Sequence, residues 1–438
     1  NREIFMSRWE KQYLKFEKQW KEDKPIASLQ KKLEEVQVKR LYNPRISGAV
    51  SSDILNELKA TAFRENLELD KLRLEQSIYS QAAAAARENP RIIYILPKIA
   101  LYGGVISVLQ IVNQLVLTGV DANIATYMDP DPELLRKFPM YFRPYCYSSQ
   151  EELLENFPEC DLIVATHWES AYPALVMQRL FGTKLAYFVQ DYEPDFHNET
   201  HPELAAQAAL TYELIPDQIV KSDWLSNKLV EHGGKVVKIP IGLNTDIFYN
   251  YRGQREWQVI AHARPSSAYR NFPVLKEVYK RLAERHPDLI LSVYGTGYEP
   301  SDFDCSVKDY GRLDEMHKVA QALNQSSILL DLSLFQGLGR PGLEAMACGT
   351  AAVLTRVGGI TEYAKHEYNC LLIDPTDIDN IVETVEKLIY DRAKLNYLVE
   401  NGLRTAEGYS YLVEGELTRD YLTSLLRVSG SDKAVRQS

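Results

Sequence analysis

The sequence predicts an α/β protein with two open, mostly parallel sheets of the same construction, a crevice between them, and a helical N-terminal extension. Three observations carry this. Short apolar, β-branched runs alternate with amphipathic stretches over residues 88–245 and do so again over 246–410. Glycines and polar residues gather just past those runs, where open α/β sheets bind ligands. The chain of 438 residues is too long for one hydrophobic core.

The clearest stretch is 328–359, ILLDLSLFQGLGRPGLEAMACGTAAVLTRVGG. Residues 328–335 read as a buried strand, and Gln336-Gly337-Leu338-Gly339-Arg340 as a glycine turn. Pro341 suits the first turn of a helix, Leu343, Met346 and Ala347 its inner face, and Gly349 its stop. A second strand, 351–355, ends at Gly358-Gly359 before a short helix carrying Glu362. Strand, glycine turn, helix, twice in succession, presents backbone N–H groups to an anionic ligand. An ordinary βαβ unit whose glycines serve only tight turns is the plainer alternative.

Composition bounds the partners. The formal net charge of −10 argues against nucleic acid. Cys146, Cys160, Cys305, Cys348 and Cys370 are scattered, without CxxC spacing, which suits a reducing, cytoplasmic compartment. No run reaches 18 apolar residues, so no membrane span is expected. The chain opens on Asn1 rather than Met, so its start says nothing about targeting.

In chain order, residues 1–87 form the helical extension. Residues 1–43 hold 11 Lys/Arg against 7 Asp/Glu and no glycine, and Trp9, Tyr13, Phe16 and Trp20 line one helical face. That stripe packs on the protein itself, on a sister subunit in a homodimer, or in the plane of the inner membrane face as a peripheral anchor. The alanine runs at 82–86 and 205–209 have good helix propensity. The first domain (88–245) has strands at 91–97, 122–127, 162–166 and 184–189, a helix at 105–117, further alternation at 209–214 and 218–221, and a last strand at 236–240. The second (246–410) has strands at 257–261 and 289–294, a helix at 272–285, the stretch already described, and helices at 380–389 and 392–407. Residues 411–438 form a terminal helix expected to return toward the first domain.

Arg264 and Arg270 flank a loop that opens a helix, and with the N–H groups near Gly339 or Gly359 they could hold a diphosphate. Glu344, early in the glycine-turn helix, could accept from ribose hydroxyls or simply offset the helix dipole. His167, Asp191 and Glu193 stand at neighbouring strand ends. No nucleophile elbow, HExxH, metal-spaced cluster or phosphate-binding GxxxxGK[ST] loop is present, so neither a hydrolase triad, a metal site nor ATP hydrolysis is expected.

These residues resemble a known family. GLGRPGLEAMACG, with Gly103-Gly104, IPIGLNTDIF (239–248), Arg264, Arg270, Gly295-Thr296-Gly297 and Gly311-Arg312-Leu313, resembles the retaining glycosyltransferases of family 4, over residues 90–430. YFVQDYEPDF (187–196) is similar to rhamnosyltransferases of bacterial surface polysaccharides and S-layer glycans. The resemblance implies the GT-B architecture, two Rossmann-like domains facing each other across a cleft. It also implies a dTDP-β-L-rhamnose donor, a lipid-linked rhamnan acceptor, retention of configuration, and no metal or other cofactor. By the same resemblance the donor site comprises Gly103, Gly104, Arg264, Arg270, Gly295, Leu313, Gln336, Gly337, Leu338, Gly339, Glu344, Gly359, Ile360 and Thr361. His167, Asp191, Tyr192 and Glu193 would bind acceptor, with His167, Asp191, Arg264 and Arg270 taking part in the chemistry. Two positions depart from the pattern: Gln336 stands where the family has a glutamate, and Ile241-Gly242-Leu243-Asn244 replaces Asn-Gly-Val-Asp. A neutral amide cannot be a carboxylate nucleophile, which puts double displacement through residue 336 out of reach and leaves front-face transfer, with Asp191 as a covalent nucleophile or base the alternative. An epimerase or hydrolase on the same scaffold, or a non-catalytic nucleotide-sugar binding subunit, are the other readings.

Overall fold

The computed structural model describes residues 90–197, 201–251, 253 and 255–435. The expected helices of residues 1–87, with their aromatic stripe and the alanine run at 82–86, lie outside the described residues. The chain divides into two compact units. One holds the described residues up to Ile219, Leu229–Val237 and the stretch from Gly415; the other holds Val220–Lys228 and Lys238–Glu414.

The first sheet has seven strands: β1 Arg91–Leu96, β2 Asp121–Thr126, β3 Tyr145–Cys146, β4 Leu162–Ala165, β5 Lys184–Phe188, β6 Asp217–Val220 and β7 Lys235–Lys238. Their order is β3-β2-β1-β4-β5-β6-β7, and the pairs from β3 through to β6 are parallel. Six helices alternate with them: α1 Gly103–Leu117, α2 Pro132–Lys137, α3 Gln150–Asn156, α4 Trp168–Phe181, α5 Pro202–Leu214 and α6 Asp223–Val230. Every residue of β4 is buried, as expected where both faces of a parallel sheet are covered.

The second sheet has β8 Gln258–Ala263, β9 Ile290–Gly295, β10 Lys308–Asp309, β11 Ile328–Asp331, β12 Ala351–Thr355 and β13 Leu371–Ile373, ordered β10-β9-β8-β11-β12-β13. All five pairs are parallel. Its helices are α7 Phe272–Arg285, α8 Met316–Gln325, α9 Arg340–Ala347, α10 Ile378–Tyr390 and α11 Arg392–Ala406, followed by α12 Tyr411–Val435. Alternate residues face opposite ways. Val259, Leu330 and Val353 join Val278 and Leu282 of α7 and Val385 of α10 in one core. Ile260, Leu329 and Leu354 join Leu323 of α8 and Leu343 and Met346 of α9 in another.

Both strand orders reverse once, between β1 and β4 and between β8 and β11. Connections diverge at such points and leave a crevice beyond the strand carboxyl ends. This is the doubly wound, Rossmann-like topology expected for each half.

Four expectations need correction. The strand expected over 328–335 stops at Asp331, whose Oδ1 accepts from the backbone N and Oγ of Ser333 and turns the chain. Residues 209–214 are the end of α5 rather than a separate element. The boundary expected at 245/246 falls at 237/238, because Gly242 N donates to Glu414 Oε2 (2.8 Å) and Leu243 bridges Ser410, tying this segment to the second unit. At the far end, residues 411–414 stay with the second unit, and the first takes the chain from Gly415.

Candidate functional site

In the second unit, the expected donor residues collect at the β8/β11 switch point. Arg264 follows β8 directly, and Arg270 ends the 3₁₀ turn Ala268–Arg270. Arg270 Nη1 donates to Ser333 Oγ (3.1 Å), Ser333 Oγ donates to Asp331 Oδ1 (2.5 Å), and the guanidinium lies 5.0 Å from the Tyr269 ring centroid. Burial pulls the Arg270 pKa down, but Asp331 and Tyr269 outweigh it and hold the cation charged. His262, stacked on Tyr294, is pushed down to about 3 by burial and by the positive charge of Arg270 and Arg264, so it is neutral. Gly295 closes β9 at φ 141, and a Cβ there would meet the Ala263 carbonyl oxygen at 2.0 Å.

The glycine turn after β11 is buried and held from three sides. Ser222 Oγ donates to Gly337 O (2.7 Å), Gly359 N donates to Gln336 O (3.0 Å), and the Tyr363 hydroxyl donates to Gly339 O. Gly358 has φ 59, and a Cβ on Gly359 would lie 1.8 Å from Gly337 O, so two backbones meet where no side chain fits. Gly339 is the N-cap of α9, with no side-chain cap and no acid in the first turn, a helix end suited to an anion by its dipole, although Pro341 brings no N–H and Gly342 N donates to Gly339 O (3.3 Å). Gln336 is 6% exposed, and its Nε2 has no hydrogen-bond partner among the described residues.

Other expected donor residues point elsewhere. Leu338 and Ile360 are buried in the core, and Leu313 packs against it. Their contribution is to backbone shape; Thr361 lies in the 3₁₀ turn Gly358–Glu362. One oxygen of Glu344 accepts from Arg340 Nε (3.0 Å), and burial raises its carboxyl pKa against the lowering effect of Arg340 and Arg270. The expected ribose contact therefore falls on a carboxylate that already has a cation partner.

In the first unit, Gly103 opens α1 with neither a side-chain cap nor an acid in the first turn. A Cβ on Gly104 would meet Gln190 Oε1 at 2.7 Å, and Gln190 Nε2 donates to Thr166 O (3.1 Å), joining the ends of β1, β4 and β5. His167 is the N-cap of α4, and burial pushes its imidazole down to about 4. Asp191 Oδ1 accepts from Tyr192 N, and the Tyr192 hydroxyl is 3.3 Å from His232 Nε2. Glu193 is 2% exposed, so its carboxyl faces inward and not toward a ligand.

Sequence reasoning missed Ser333, Asp331, Ser222 and His262. Asp331, an acid ending an apolar run, was a readable signal. Ser222, more than a hundred residues from the turn it holds, was not. Among the described residues, no group of three or more His, Cys, Asp or Glu side chains could hold a metal ion, and no helix is long and apolar enough to cross a membrane.

Residues 255–405 match the family described as "Glycosyl transferases group 1". The chain is 27% identical over 179 residues to an MMP α-(1→4)-mannosyltransferase of Mycolicibacterium hassiacum, covering 38% of this chain and 43% of that protein. It is 28% identical over 225 residues to the O-antigen biosynthesis protein RfbC of Myxococcus xanthus, covering 50% of this chain and 17% of that protein. The chain thus spans less than half the length of either relative. Anabaena HepE, solved in complex with UDP-glucose, superposes with a TM-score of 0.65 at 16% identity, over 77% of this chain and 100% of that one. The fold is therefore that of the two-domain GT-B proteins.

Proposed function

We propose that this protein is a nucleotide-sugar-dependent glycosyltransferase that transfers L-rhamnose, with retention, from dTDP-β-L-rhamnose to a growing, lipid-linked rhamnan. The observation that carries the transferase reading is the β8/β11 switch point. Two arginines, a helix N-terminus without a side-chain cap and a buried amide donor with no partner among the described residues all lie just past the ends of β8 and β11, which supports a sugar-diphosphate site there. The match of this unit to the group 1 glycosyl transferases and the likeness to a UDP-glucose-binding fold support it. Rhamnose and dTDP rest on the resemblance of residues 187–196 to surface-polysaccharide rhamnosyltransferases.

Gln336 cannot form a covalent sugar ester, so the transfer proceeds on one face. The bond from C1 to the diphosphate oxygen breaks as the acceptor hydroxyl oxygen bonds C1, and its proton passes to the departing diphosphate. Arg264, Arg270 and the positive N-terminal end of α9 stabilise the charge that develops there. His167 and Asp191 orient the acceptor, and no metal takes part.

Incubation with dTDP-rhamnose and a synthetic rhamnose acceptor should release dTDP and lengthen the acceptor by one residue, with UDP-glucose a poor substitute. Binding of neither dTDP nor UDP, with no elongated product from either sugar nucleotide, would sink the transferase reading. Elongation from UDP-glucose alone would keep the transferase and reject rhamnose.

A further inference from the structure

Arg270 is held at its backbone and at its side chain by one short segment. Leu334 N donates to Tyr269 O (2.7 Å), which pins the 3₁₀ turn Ala268–Arg270 to the chain leaving β11. One residue earlier, Ser333 Oγ accepts from Arg270 Nη1 (3.1 Å) and gives its own proton to Asp331 Oδ1 (2.5 Å). A hydroxyl has a single hydrogen to donate, so an acceptor at Asp331 turns the serine lone pairs toward the guanidinium. The same Oδ1 accepts from Ser333 N (3.0 Å), and Thr355 Oγ1, at the end of β12, donates to Ser333 O (2.7 Å). The serine backbone is thereby fixed on both sides. Ser333 and Asp331 are both buried, where a hydrogen bond is electrostatically stronger than in water.

We propose that Asp331 is a positioning residue for Arg270: acting through the Ser333 hydroxyl, its Oδ1 fixes the plane of the guanidinium at the β8/β11 switch point. This rests on the reading of Arg270 as a ligand of the diphosphate. With Nη1 committed to Ser333, the Nε edge is left for an acceptor oxygen, and Nε has no hydrogen-bond partner among the described residues. A guanidinium set beforehand gives up less rotamer freedom when a diphosphate arrives. Asp331 Oδ1 also lies 4.0 Å from Arg270 Nη1, and its charge repels an incoming anion. Orienting the cation and repelling the anion are effects of opposite sign on affinity.

Two substitutions separate them. Asp331→Ala and Asp331→Asn remove the same charge, but only asparagine keeps an acceptor for the Ser333 hydroxyl, so the difference between them reports the hydrogen bond alone. By calorimetric titration, D331A should bind dTDP about 3- to 10-fold more weakly than D331N, the range for one hydrogen bond. The difference should vanish in the Arg270→Ala background, and also in Ser333→Ala, because the effect passes through both side chains. Equal affinities in D331A and D331N, or a difference that survives in R270A, would overturn the role. A second readout needs no ligand. In nitrogen-15 NMR of the full chain, Arg270 should show separate Nη1 and Nη2 resonances in the unaltered protein and in D331N, merged by rotation in D331A and S333A. Merged resonances in the unaltered protein would also overturn the role. Should D331A fail to fold, the unaltered protein and S333A decide. Binding of neither dTDP nor UDP, with split resonances that merge in D331A, would reject glycosyl transfer and leave the positioning role standing. Binding of dTDP with the same resonances in every variant would do the reverse.

Discussion

A carboxyl that keeps its proton inside a protein makes stability depend on pH. Between the ordinary value of 4.5 and about 8, folded Glu193 holds a proton that the unfolded chain has released. Its contribution to stability therefore falls as pH rises through that window. His167 acts in the opposite sense, since its contribution is lost as pH falls from 6.5 toward about 4. Replacing Glu193 by Gln should remove only the first effect. The urea midpoint of the variant should gain on the unaltered protein from acid to alkaline pH; parallel midpoints would show the carboxyl ionised throughout. At the other site, Arg270→Ala should weaken dTDP binding by about 10- to 100-fold, the range for losing a hydrogen bond to a charged group. Ser333→Ala should weaken it less, because the guanidinium keeps Asp331 and Tyr269. Calorimetric titration measures both, and unchanged affinity in the arginine variant would remove it from the diphosphate site.

At the scale of elements, one buried ion pair ties three distant segments. Lys221 Nζ, after β6, lies 2.5 Å from Glu414 Oε1 in the first turn of α12, and the other oxygen of Glu414 takes the N–H of Gly242. Lys221→Met would strand a buried carboxylate and should cost about 3–5 kcal/mol in denaturant unfolding. Adding Glu414→Met should recover part of that but not all, since Gly242 N–H then loses its acceptor. The same scale explains what could be read from residues alone. Apolar runs such as 91–96 and 351–355 announce themselves by composition, and the 336–340 and 358–359 turns by their glycines, because those constraints are local. Two-residue edge strands such as Tyr145–Cys146 and Lys308–Asp309 have no period to read. The apolar pattern of 328–335 overran β11 because nothing in it reports the hydrogen bonds by which Asp331 bends the chain. Glu193 looked like a ligand contact for a similar reason. Its neighbours Trp168 and Tyr187 come from other elements, and only folding reveals that it points inward.

For the whole molecule, two compact units, each with its own sheet, imply two cooperative blocks. Calorimetry should resolve two transitions, and dTDP should raise the one belonging to the second unit, where its contacts are proposed. A single transition displaced as a whole would mean that the blocks melt together. The division also bears on how this protein could be cut or recombined. The chain changes unit after residues 219, 228, 237 and 414, so neither unit is one continuous piece of sequence. An excised 238–414 fragment would leave behind Ser222, whose hydroxyl holds the Gly337 carbonyl, and Asp223, whose N–H donates to Glu362. Domain exchange between such proteins at a single crossover would sever those bonds; a swap that carries 220–228 along with 238–414 keeps them.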